Sequence, residues 1–324
     1  MKKPVFLIVL VTACLLMASH SALAQLTIKA SGGQIGGGWY TIVSGLGEII
    51  NDKLKDQVNL VVVPGSGVSN IATCSMGDTP ITMSFPPFIV AANKGIDPYD
   101  QKYPKTKVIA ANFGTSAQHF VTTRKDIATY EDISSKKLPI KVCLNKPGAT
   151  DEFLWRKVME YLQTDYKKVK QWGGKIFHVG HGESVTLLKD GHADSHFAYI
   201  SVPAASITEM AISRKLVFVE FSDKMFNFLQ NEWSLMSFTI PAGTYKGQKK
   251  ELKTLGMSNT LMVNEDVDAN LVYAITKTIC ENYEGVRNVH KTCSNWKPEM
   301  GPQGVEKLLH AGAAKYYKEK GYIK

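Results

Sequence analysis

Apolar and polar positions alternate in short runs, and helical spacings separate those runs through most of the chain. Leu26, Ile28 and Ala30 against Thr27 and Lys29 predict a strand over 26–30. Ile42, Val43, Leu46, Ile49 and Ile50 predict a helix over 40–51. A β-branched strand at 58–63 and a strand at 79–85 follow, with a helix beginning near Ser69 between them. Pro86-Pro87 opens a short helix through Phe88, Val90, Ala91 and Ala92, and strands at 107–111 and 120–123 come next. The same grammar restarts with a strand at 140–144 and a helix from Asp151 that carries Phe153, Leu154, Val158 and Leu162 on one face. Strands at 175–179, 193–200 and 216–220 then alternate with helices at 183–189 and 204–212. A strand over 255–263, a long helix through Leu271, Val272, Ala274, Ile275 and Ile279, and a last ordered stretch at 310–317 complete the chain. Strand, crossover helix and strand in repetition predict an α/β protein of mostly parallel sheets flanked by helices. The expected division is a first lobe of 25–118 and 257–324 and a second lobe of 119–256, joined by strands instead of a flexible tether.

Between the first strand and the first helix lies Ser31-Gly32-Gly33-Gln34-Ile35-Gly36-Gly37-Gly38-Trp39-Tyr40. Glycines let a backbone approach a ligand closely, and the unpaired amides of a helix start face an anion placed there. A tight strand-to-helix turn without a ligand is the plainer alternative. The register fits neither G-x-G-x-x-G nor a phosphate loop, since no Gly-Lys-Ser/Thr follows. A second turn, Pro64-Gly65-Ser66-Gly67-Val68-Ser69, falls at the same edge of the expected sheet, and Gly148-Ala149-Thr150 repeats the arrangement in the second unit. Ligands of such sheets sit beyond the carboxyl ends of the strands.

Lys2 and Lys3, the apolar run 5–17 and Ala22-Leu23-Ala24 have the form of a secretory signal peptide at 1–24, which predicts a periplasmic protein beginning at Gln25. Val11-Thr12-Ala13-Cys14 leaves lipidation at Cys14 as the competing reading. The formal charge of +9 falls to +7 without Lys2 and Lys3 and is scattered over lysines with no aromatic interleaving, which points away from nucleic acid. It still favours anionic ligands through the long-range field. Beyond the leader stand Cys74, Cys143, Cys280 and Cys293; a local disulfide between Cys280 and Cys293 is expected, with Cys74 and Cys143 free and buried.

Catalytic patterns fail one by one. G-x-S-x-G and H-E-x-x-H are absent, and no carboxylate pair accompanies the glycine turns. His178/His181 and His192/His196 have metal-like spacing but fall on strand ends and turns, so exposed turn histidines are expected, with no metal and no cofactor. A binding protein is favoured over an enzyme.

The chain resembles the TAXI family, the extracytoplasmic solute receptors of tripartite ATP-independent periplasmic (TRAP) transporters. The resemblance rests on Gly36-Gly37-Gly38-Trp39-Tyr40, Gly67-Val68-Ser69-Asn70, Lys146-Pro147-Gly148-Ala149-Thr150, Ile240-Pro241-Ala242-Gly243-Thr244-Tyr245-Lys246-Gly247 and His310-Ala311-Gly312-Ala313, in that order. It implies a two-lobed, type II periplasmic binding protein with a cleft between lobes joined by hinge strands. It also implies a small organic anion as ligand, a glutamate-like amino acid or dicarboxylate, and TRAP membrane subunits as partners of a monomeric receptor. The ligand-facing positions it carries over are Gln34, Gly36, Gly37, Tyr40, Ser66, Ser69, Ser84, Thr150, Tyr199 and Pro203, with Tyr40 and Tyr199 as lid and floor. A receptor for signalling or a surface antigen is the alternative from the same structural class, and an exported metal-dependent hydrolase the alternative from another.

Overall fold

The computed structural model describes residues 25–233 and 235–324. The leader expected at 1–24, and Cys14 with it, lie outside them. The first sheet has five strands in the order β2-β1-β3-β12-β4, drawn from β1 (Leu26–Ser31), β2 (Val58–Val63), β3 (Ile81–Ser84), β4 (Thr106–Ala110) and β12 (Thr260–Asn264). The second contains β5 (Thr115–Thr122), β6 (Lys141–Leu144), β7 (Lys175–His178), β8 (Ser195–Ser201), β9 (Val217–Phe218), β10 (Met236–Ile240) and β11 (Leu252–Ser258). Its order is β10-β11-β5-β8-β6-β7, with β9 also paired to β5.

Helices cover both sheets. The first group is α1 (Gly38–Lys53), α2 (Gly67–Met76) and α3 (Pro86–Lys94). The second is α4 (Glu131–Ser135), α5 (Thr150–Tyr161), α6 (Tyr166–Gln171), α7 (His181–Lys189), α8 (Ala205–Ser213) and α9 (Asp223–Trp233). The chain ends through α10 (Ala269–Glu281), α11 (Tyr283–Val289) and α12 (Ala311–Glu319). The architecture is the two-lobed α/β fold expected from the alternation, but the sheets are mixed instead of mostly parallel: among the described residues four strand pairings are parallel and six antiparallel.

Pairing explains which strands do what. The strand–helix–strand units β1-α1-β2 and β6-α5-α6-β7 pair their strands in parallel, as do β1 with β3 and β6 with β8. Antiparallel pairs come from the strands that carry the chain between sheets: β12 against β3 and β4, and β5 against β8 and β11. The apolar run at 255–263 is therefore two strands instead of one. It breaks at Asn259, whose backbone N–H donates to the Gly114 carbonyl at 2.9 Å and whose carbonyl accepts from Phe113 N–H at 3.1 Å. The two crossings, one through Phe113-Gly114 and one through Asn259, are thus hydrogen-bonded side by side, which is what a paired hinge requires.

Ile28, Ala30, Ile42, Leu46, Val58 and Leu60 from the β1-α1-β2 unit form one core with Val272, Ile275 and Tyr317 of the C-terminal helices. A second core runs through both lobes. Phe88 of α3 meets Phe153 of α5 edge-on, centroids 5.8 Å apart, so the lobes are in apolar contact on one side of the cleft.

The expected disulfide does not form. Cys280 Sγ lies 4.0 Å from the Tyr317 hydroxyl and Cys293 Sγ 3.7 Å from the Phe113 carbonyl, so each thiol is turned into a different set of neighbours. All four cysteines of the described residues are free and buried.

Candidate functional site

Apart from Ser116, near the amino end of β5, the segments around the cleft leave the carboxyl end of a strand or open a helix. From the first lobe come the loop after β1 (Gly33, Gln34, Gly37), the start of α1 (Gly38, Trp39), the turn after β2 (Gly65, Ser66), Gly67 at the start of α2 and Phe85 after β3. From the second come Ser116 on β5, Asn145 after β6, the start of α5 (Ala149, Thr150, Asp151), His181 and the end of β8 (Tyr199, Ile200, Ser201). They enclose a cavity of about 70 Å³, room for roughly five waters. A wider space of about 430 Å³ adjoins it, bordered by Gly36, Pro203, Glu209 and His290.

Four helices, α1, α2, α5 and α7, start at this cavity, and none has a side-chain cap. Of the other helices, α6, α10 and α12 are capped by Asp165, Asp268 and His310, while α3, α4, α8 and α11 have no side-chain cap either. The first turns of α1 and α2 also contain no acidic residue. Unpaired amides with the positive end of the helix dipole behind them therefore converge on one enclosed volume. Side chains repeat the pattern. Thr150 Oγ1 and the Tyr199 hydroxyl are buried with no hydrogen-bond partner among the described residues, and so is His181 Nδ1. Buried polar atoms are normally paired, so three such atoms on one wall mark a place for a polar guest.

The lobes touch across the cavity. Gln34 Nε2 donates to Asn145 Oδ1, and the Gly148 carbonyl of the second lobe accepts from Val68 and Ser69 N–H of α2, both at 3.2 Å. Asn145 also donates through Nδ2 to Asp151 Oδ2 at 2.8 Å. Burial pushes the Asp151 carboxyl up to about 7 and holds the His181 imidazole down at about 4, so His181 is neutral near pH 7. Trp39, Phe85 and Tyr199 form an aromatic wall with successive centroid separations of 4.6 and 5.3 Å. Trp39 Nε1 donates to Asn259 Oδ1 at 2.8 Å, which ties that wall to the hinge.

A model of the NMT1-like family matches residues 30–321. The chain belongs to that family. Among solved structures, it is similar to the periplasmic binding protein BugD, with a TM-score of 0.53 at 14% identity over 92% of this chain and 98% of that one. MatC from Rhodopseudomonas palustris with bound malate gives 0.52 at 11% identity, covering 92% and 96%. PhnD1 from Prochlorococcus marinus in complex with methylphosphonate gives 0.54 at 10% identity, covering 92% and 99%. At such identities the likeness is one of fold, and the fold is that of periplasmic binding proteins.

Of the residues the sequence nominates, Gln34, Gly37, Ser66, Thr150 and Tyr199 line this NMT1-like chain's enclosed cavity, and Gly36 and Pro203 border the adjoining space. Tyr40, Ser69 and Ser84 line neither. Tyr40 sits one residue past Trp39, which turns it about 100° around the helix, and Trp39 takes the aromatic position. Ser69 Oγ donates to the Ser66 carbonyl at 3.2 Å and Ser84 Oγ to the Gly67 carbonyl at 2.6 Å, so both hold the second glycine turn in place. Asn145, Asp151, Ser116 and Ser201 are additions that sequence spacing does not reveal.

The expectation of exposed turn histidines fails for His181 and His196. His196 is buried in β8, and His181 faces it with ring centroids 5.7 Å apart. Their apparent partners point elsewhere: His178 Nδ1 is 3.0 Å from the Asn145 carbonyl, and His192 is exposed. No group of three or more metal-ligating side chains occurs among the described residues.

Proposed function

We propose that this chain is an exported solute receptor whose two lobes close on a small organic anion. The observation that carries the reading is the convergence of four uncapped helix starts and two unpartnered hydroxyls, those of Thr150 and Tyr199, on one enclosed cavity. The amides of Gly38, Trp39 and Tyr40 and of Gly67 receive the anionic group, while Thr150 and Tyr199 supply directional hydrogen bonds from the opposite lobe. Because only the closed form contacts ligand with both lobes, ligand drives closure. Malate in MatC and methylphosphonate in PhnD1 are both small anions, in keeping with this assignment.

The motif order from Gly36 to His310 supports membership of the TAXI receptors, with TRAP membrane subunits as the partners that receive the solute and a glutamate-like amino acid or dicarboxylate as that solute. A hydrolase reading finds no support in the cleft. Among the described residues, no lining hydroxyl is hydrogen-bonded to His181, whose Nε2 instead faces Asn145 Nδ2 at 3.3 Å. A nucleophile needs its base within that reach.

Thermal-shift and calorimetric titration with glutamate, 2-oxoglutarate, malate and small phosphonates tests the receptor reading. The expected result is a melting temperature that climbs with ligand concentration. Flat responses to every acid would overturn it.

A further inference from the structure

We infer that the solute carries an ammonium group, received by the Asp151 carboxylate, opposite the anionic group held by the α1 and α2 amides. This rests on the receptor reading above and selects amino acids over plain carboxylic acids. Among the described residues, no lysine or arginine lines the cavity, and Asp151 is the one acidic side chain that does. Asp151 is 2% exposed, and its carboxylate accepts from Asn145 Nδ2 at 2.8 Å and from Glu152 N–H at 3.1 Å. The backbone amides of Asn145 and Asp151 also point toward it, so every donor the chain gives this carboxylate is neutral.

Buried carboxylates are ordinarily paired with a cation. The arginine of the same helix is engaged elsewhere: Arg156 reaches Glu152 at 3.3 Å and Asp97 at 3.9 Å, and the Glu152 carboxylate also accepts from the Tyr166 hydroxyl at 2.9 Å. His181, the other titratable group facing Asp151, is held neutral by burial. Placing a purely anionic ligand here sets a second negative charge beside the first. An α-amino acid brings its own cation, and it satisfies both ends of the cavity at once. Asn145 Oδ1, which accepts from Gln34 Nε2, keeps one lone pair for an N–H donor beside the same position.

The test uses pairs matched in carbon skeleton: alanine and lactate, aspartate and malate, glutamate and 2-hydroxyglutarate, titrated calorimetrically at about pH 8, where Asp151 is ionised. The amine-bearing member is expected to bind at least about tenfold more tightly in any pair that binds. Asp151→Asn is expected to remove that preference by weakening the amine-bearing member and sparing its partner. Equal or tighter binding of the hydroxy acid would overturn this inference and leave the receptor reading standing. Absence of binding by every member would overturn the receptor reading itself. The wild-type comparison needs no variant, so it decides the matter even if Asp151→Asn does not fold.

Discussion

Closure predicts its own wedge. Gly67, the first residue of α2, is buried against the second lobe, and a β-carbon there would overlap Thr150 Oγ1 and lie 3.3 Å from Thr150 Cβ. Backbone strain is not involved, because Gly67 is not among the glycines with positive φ. With the lobes apart, alanine at this position costs nothing and is the better helix former. With the lobes together, either the closed form stops short or Thr150 leaves its rotamer. Overpacking of this kind costs about 1–3 kcal/mol, so Gly67→Ala should bind solute about 5- to 150-fold more weakly while its ligand-free melting temperature stays level or rises. Thr150→Ala removes the colliding oxygen and loses one hydrogen bond to solute, about 0.5–1.5 kcal/mol. In the double variant the remaining 3.3 Å separation is tight but passable, so its affinity should match Thr150→Ala alone. Isothermal calorimetry on the four proteins gives the coupling energy directly. Wild-type affinity in Gly67→Ala, or a double variant worse than the sum of its parts, would refute the closed arrangement.

Three further measurements follow from burial. Tyr199→Phe deletes a hydroxyl without a partner among the described residues, so stability should hold or improve while solute affinity falls about two- to tenfold. A chain starting at Gln25 should show four reactive thiols in denaturant without reductant and slow reaction when native, since burial pushes each of Cys74, Cys143, Cys280 and Cys293 up to about 12. His119, His181 and His196 are held down at about 4, about 4 and about 3 by burial, so the unfolded chain takes up protons there first as pH falls below about 6.5. Each removes about 2 kcal/mol of stability by about pH 5. Asp151, raised to about 7, works in the opposite direction and returns about 2 kcal/mol over the same interval. Chemical denaturation should therefore show a net loss of about 3–4 kcal/mol between about pH 7 and 5. A gain would contradict the burial of the histidines.

How legible the molecule is depends on the range of the forces concerned. The strand at 58–63, the helix after Trp39 and the turn at Gly65-Ser66-Gly67 are set by β-branching, 3.6-residue spacing and glycine, all local, and the structure has them where the pattern puts them. The break at Asn259 is invisible in an apolar run because Asn259 is bonded to Phe113 and Gly114, about 145 positions earlier. Helix α9 does carry a local signal, with Ser222 and Asp223 ahead of Met225, Phe226 and Leu229. His196 is hidden for another reason: β8 is buried on nearly all its length, so alternation no longer marks a face. Asn145 and Asp151 become part of a site only when the second lobe meets Gln34. Local pattern finds Thr150 by its glycine turn but has no means of choosing Asp151 beside it. The Trp39/Tyr40 exchange shows the same limit, since one residue of helical phase decides which ring faces the cleft.

The missing caps tie these strands of argument together. A helix start without a side-chain cap forgoes up to about 1 kcal/mol, and four such starts meet at the cavity, although α3, α4, α8 and α11 also lack a cap. Ser66 makes the point sharply. It is the N-cap residue of α2, of a type suited to capping, yet its side chain bonds to no amide of the helix. With the lobes apart, a carboxylate at that position would reach the amides of Val68 and Ser69, which in the closed form donate to the Gly148 carbonyl, and it would interact favourably with the helix dipole. Ser66→Asp should therefore raise ligand-free stability by up to about 1 kcal/mol. It should also suppress solute binding by at least about tenfold, because the new charge occupies the ground the solute needs. The two effects must come together, since both arise from one negative charge placed at the start of α2. Denaturation and calorimetry on one preparation read both. Solute affinity retained in a stabilised Ser66→Asp would mean that the anion is held somewhere other than the start of α2.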